Sequence, residues 1–148
     1  MDKTIVKSIV LPSLVILVGG LVVLGLGWLS YVGIYLWFET TFYPFDPLSV
    51  PADLLRIIAT LLMMAVIGIV YLFKVPTLVK ATLLVPAMGT FLITMVLSFY
   101  THITFVIIMI SLVVIMGCVI IARFRFSWYY YLALGYATVL AIVYAWPR

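Results

Sequence analysis

The side chains able to do chemistry in this chain are few and widely separated. His102 is its single histidine and Cys118 its single cysteine. One imidazole cannot form a bis-histidine haem within the chain. A zinc site needs three or four clustered donors, and only Glu39 or Asp46 would approach His102 from the same side of a membrane. His102 and Cys118 are therefore weak metal candidates, and a turn-forming histidine is the simpler reading. Met88 and Met95 are seven apart, as are Met109 and Met116, and Met63 adjoins Met64. Thioether sulfur suits Cu(I), but no Met-x-x-Met or Cys-x-x-Cys spacing presents a chelate, so flexible packing is expected of these methionines. One cysteine also rules out an intrachain disulfide.

Asp53 and Arg56 are the one pair of opposite charges placed to meet within a helix. Ionisable residues inside a membrane are functional candidates by default. These two fall at a helix start, where Asp53 is expected to cap the helix and Arg56 to reach the headgroups. Ser13, Ser30, Ser98 and Ser111 have no base beside them to activate a hydroxyl. HExxH, GxSxG and P-loop patterns do not occur. No charge is expected near the middle of any span, where proton-coupled pumps and transporters keep titratable groups. The expectation is no catalytic residue, no resident cofactor and no metal, with bound lipid as the natural companion.

The elements that would position these groups follow from the composition: 68% hydrophobic and 8% charged, against about 25% charged for a soluble domain. In hydrocarbon every backbone N–H and C=O must be satisfied internally, so continuous apolar runs must be helices. A β-barrel would alternate apolar and polar residues, and these runs do not. The fold class expected is all-α: a single transmembrane domain covering 1–148, a bundle of five helices, with four as the alternative. The spans fall at about 8–36, 54–73, 82–100, 103–122 and 128–146, about 20 residues being enough to cross.

The first apolar run is longer than a signal-peptide core and lacks an A-x-A site, so an uncleaved span is expected. The stretch 37–53 is the one long polar interruption, and Pro44, Pro47 and Pro51 stop a regular helix from continuing through it. The run from Ala81 to Ala122 is too long for one span and divides at Tyr100-Thr101-His102. Pro86 is interior if the third helix starts near Thr77, and lies in the first turn if it starts near Thr82. Ser127 is placed to cap the fifth helix.

Two small-residue rows supply packing faces. Ala133, Ala137, Ala141 and Ala145 recur every four residues on the fifth helix, a spacing that lets backbones approach closely. Ser13, Gly20 and Gly27 recur every seven on the first, suited to a shallower left-handed contact. With five spans, one side receives Lys3, Lys7, Lys74, Lys80, Arg123 and Arg125. The other receives Arg56 and Arg148 with the acids Glu39, Asp46 and Asp53. The positive-inside rule then puts the N-terminus in the cytoplasm and the C-terminus and loop 37–53 outside.

The formal net charge of +4 is scattered and is not a nucleic-acid footprint. The partners expected are the bilayer and other membrane-protein subunits, in a homo- or hetero-oligomer. The leading expectation of function is a non-catalytic subunit or assembly factor of a larger membrane complex. The alternatives are a small oligomeric channel or carrier for a neutral or hydrophobic solute, and a membrane redox or metal-binding subunit.

Overall fold

A computed structural model describes residues 6–43 and 50–145. It is an all-helical bundle, without strands among the described residues. The helices are α1 (Leu11–Phe42), α2 (Ala52–Leu72), α3 (Thr77–Ser98), α4 (Ile103–Arg123) and α5 (Trp128–Ala145). The first four are long and apolar enough to cross a membrane, and α5 is a shorter apolar helix. The chain is thus a multi-pass membrane protein. α5 has 18 residues and a length of about 27 Å, slightly under the roughly 30 Å of a bilayer's hydrocarbon core.

The boundaries differ from the sequence expectation for local reasons. α1 runs to Phe42, well into the stretch expected to be loop. No proline occurs between Trp37 and Tyr43, and Thr40 returns its hydroxyl to the Leu36 carbonyl at 2.9 Å. At the other end, Pro12 has no N–H to give the helix, and the preceding segment Val6–Val10 forms a π-helical turn. α3 starts at Thr77, so Pro86 is interior and buried. Asp53 does not cap α2: the cap position is Pro51, and Asp53 lies in the first turn. Ser127 does not cap α5 through its side chain either. Its carbonyl accepts the Tyr130 N–H at 3.1 Å, while its hydroxyl is buried with no partner among the described residues.

α3 is the central helix. It packs most extensively on α5, then on α1 and α2, and only slightly on its sequence neighbour α4. α4 instead leans on α5. Ala133 and Leu134 of α5 meet Ile16, Ala81, Val85 and Ile121 in one cluster. Ala141 joins Leu92, Val96, Val106 and Ile110 in a second. Ala133, Ala137 and Ala141 each expose 0% of their surface. Their row faces helices of the same chain, so it bears on the fold and does not mark a subunit contact.

The bundle has two distinct ends. Tyr71, Leu78, Ile121 and Tyr130 pack around one cluster, so the α2–α3 and α4–α5 joints share an end, with Lys74, Lys80, Arg123 and Arg125 on it. Both joints are stapled locally. Tyr71 donates its hydroxyl to the Lys80 carbonyl at 2.5 Å, and Lys80 Nζ returns a bond to the Tyr71 carbonyl at 2.9 Å. α4 ends in a Schellman turn: Arg125 N–H reaches the Ala122 carbonyl and Phe126 N–H the Ile121 carbonyl. Arg125 sits at φ 51° to allow it.

Candidate functional site

At the opposite end the bundle opens. A cleft of about 520 Å³ lies among α1, α2, α3 and α5, with Arg56, Leu97 and Tyr144 around it. Its origin can be followed up α1. A Cβ added to Gly20 would stand 2.8 Å from Val85 Cβ, so α1 and α3 touch nearly backbone to backbone there. One turn on, Leu24 reaches over Gly89, where an added Cβ would meet its Cδ1 at an ordinary 3.4 Å. At Gly25 a Cβ would meet nothing within 4 Å. The two helices part above this level, and the flexible Met63 side chain of α2 reaches across to Gly27.

The walls are mainly apolar, from Leu21, Leu24, Met63, Ile93, Leu97 and Leu140. Such a volume, apolar with a few placed polar groups, is the usual form of a small-molecule site. The guanidinium and the threonine hydroxyls come from two helices. Arg56 and Thr60 are one turn apart on the same face of α2, and Thr90 and Thr94 stand likewise on α3. The Thr60 and Thr94 hydroxyls bond to each other across the helices at 2.7 Å.

Elsewhere in the spans hydroxyls turn back to their own helix. Ser13 bonds the Ile9 carbonyl, Ser30 that of Leu26, Thr82 that of Leu78, Thr90 that of Pro86, Ser111 that of Ile107 and Thr138 that of Leu134. The Thr60–Thr94 pair uses one hydroxyl hydrogen between its members and keeps the other for a further acceptor.

Arg56 is drawn inward. Its side chain is 20% exposed, while that of Asp53, bonded to its Nη2 at 2.6 Å, is 82% exposed. Arg56 Nε is buried with no acceptor among the described residues. The carboxylate thus stays in the water or headgroup layer while the guanidinium lines the cleft. Arg56 does not simply snorkel outward, as the sequence suggested. The cleft lining offers donors from Arg56, the threonine pair, Trp28, Tyr31 and Tyr144, and no carboxylate among the described residues.

The other sequence candidates do not converge. His102 is exposed at the start of α4, and Cys118 is half-buried against the α5 side of the core. Sixteen residues of one helix separate them, about 24 Å. Among the described residues no three of His, Cys, Asp and Glu gather to hold a metal ion. Ser13 is half-buried, Gly20 meets Val85 and Gly27 meets Met63, so the row on α1 faces two different helices. Lys3 and Asp46 lie outside the described residues, as do the side chains of Lys7 and Ala145.

The cleft residues Thr60, Thr90 and Thr94 were not singled out by sequence, and Met63 was read there as packing. The spacing that points to them is the four-residue step from Arg56 to Thr60 and from Thr90 to Thr94. Compared with protein-family models, with curated proteins and with solved structures, the chain matches none.

Proposed function

We propose that the chain is a non-catalytic membrane protein that binds a hydrophobic or amphiphilic molecule within the bilayer, as a carrier or as the ligand-holding subunit of a larger assembly. The observation that carries this reading is the cleft among α1, α2, α3 and α5, apolar in its walls and provided with hydrogen-bond donors at one end. Among the described residues no base adjoins Thr60, Thr90 or Thr94 to make it a nucleophile. Binding and release are what such a site does. In this reading the basic end, with Lys74, Lys80, Arg123 and Arg125, faces the cytoplasm, and the cleft opens in the outer half of the membrane.

The test is fluorescence titration of the purified chain, in uncharged detergent, with an uncharged polyene fluorophore. Saturable binding is expected. Gly25→Phe, placed where a Cβ finds open space, and Ala59→Phe on the facing wall should each weaken it about tenfold or more. Binding unchanged in both variants would remove the cleft from the proposal.

A second reading, a subunit in a hetero-oligomer, is favoured by the length of α1. Gly20 is level with Val85 and Leu24 with Gly89, so α1 passes the end of α3 near Gly33. The remaining nine residues rise about 13 Å further. That segment exposes Ile34, Leu36, Trp37 and Phe42, and a second membrane chain alongside would cover them. Native mass spectrometry after mild extraction distinguishes the cases. Stoichiometric partner chains support this reading, and a lone chain opposes it.

A further inference from the structure

We propose that the cleft selects an amphiphile by an anionic oxygen head, a carboxylate or a phosphate ester, held at Arg56 with the tail lying along Leu24, Met63 and Ile93. This rests on the reading of the cleft as a binding site and adds the class of ligand. Three features on different elements point the same way.

The first is the donor set. Arg56 Nε is buried and without an acceptor among the described residues, although Nη2 is occupied by Asp53. A guanidinium has five N–H donors and no acceptor, so the groups left over call for oxygen from elsewhere. Its bonds to an anionic oxygen are charge-assisted and about twice as strong as neutral ones. The second is the Thr60–Thr94 pair, one turn deeper along α2, about 6 Å from the level of Arg56. Its spare hydroxyl hydrogen meets an oxygen placed below the head, as the acyl carbonyl of a phosphate ester would be. The third is the separation of charges. Asp53 is mostly in solvent, which weakens its hold on Arg56, and no other carboxylate among the described residues lines the site. Below the threonines the lining is hydrocarbon, which accepts an acyl chain and nothing charged.

The ligand chemistry has two sources, a free fatty acid and a monoacyl phospholipid, and the experiment separates them. The full-length chain in uncharged detergent is titrated with pyrene-labelled fatty acid, the matching fatty alcohol, and a pyrene-labelled monoacylglycerol phosphate. Both anions are expected to bind at least about tenfold more tightly than the alcohol, and the tighter of the two names the source.

Arg56→Gln should bring the anions to within about twofold of the alcohol, and saturable alcohol binding that stays sensitive to Gly25→Phe shows the cleft intact. Asp53→Ala, an exposed change, should tighten the anions severalfold by freeing Nη2. An alcohol that binds as well as the anions overturns the proposal, and so does an anion preference that neither substitution alters. Either result leaves the cleft itself standing as an uncharged-ligand site. Insensitivity of all three ligands to Gly25→Phe and Ala59→Phe is the separate failure that would remove the cleft.

Discussion

The α3–α5 seam and the α1–α3 contact that leads into the cleft are built from the same material, apolar helices with small residues at intervals, and they end in opposite states. Along the seam, Ala133, Ala137 and Ala141 present no side chain large enough to hold α3 away, and the contact is closed along its length. On the other side, Gly19, Gly20 and Leu24 of α1 lie against Thr82, Val85 and Gly89 of α3, but the close approach goes no further. Of the glycines beyond, Gly25 and Gly33 face open space and Gly27 meets only the Met63 side chain of α2. Lipid tails are as apolar as a neighbouring helix, so helices in a membrane hold together by van der Waals fit. Small residues close a seam only where the partner offers a complementary surface at each step.

The comparison is broken most severely by filling the seam. Ala137→Leu is expected to destabilise the bundle by about 3 kcal/mol, read as a lowered midpoint of unfolding in mixed detergent micelles. Gly20→Ala should cost about 2 kcal/mol, since Val85 Cβ would be 2.8 Å from the new atom. Gly25→Ala, five residues further along α1 on the cleft lining, should be nearly silent in that measurement. If Gly20→Ala and Gly25→Ala prove alike, the helices do not part where the structure has them part.

Thr94→Val should lower stability by about 0.6–1.7 kcal/mol, the range for interhelical bonds in membranes, and sharpens the comparison by asking whether α2 is held at the cleft by that hydroxyl pair. Smallest of all is Val139→Leu on the lipid side of α5, where the side chain is 56% exposed. It should change stability by less than about 0.5 kcal/mol. A large effect there would mean that a further chain covers this face.

Much of the fold is legible in the sequence because the bilayer imposes it. The apolar runs, the break at Tyr100-Thr101-His102 and the joint at Pro76 follow from backbone hydrogen bonding and proline chemistry. The alanine row is legible as a face, because a period of four on a helix is a geometric fact. The identity of its partner is not, since Leu92 and Val96 read no differently from Ile107 or Ile115. All are apolar, and hydropathy carries no address.

The site is less legible still. Arg56 and Asp53 read as a surface ion pair at a helix start, and only the positions of α1 and α3 turn the guanidinium inward. Thr60 and Thr94 lie 34 residues apart, and each alone resembles any threonine that bonds its own helix. Sequence by itself determined that the chain is a bundle of apolar helices, roughly where each helix begins and ends, and which residues are small or charged. The tertiary structure decided which faces meet, because helix pairing in lipid depends on shape matching between surfaces distant in sequence. It placed the cleft at the level where that matching stops.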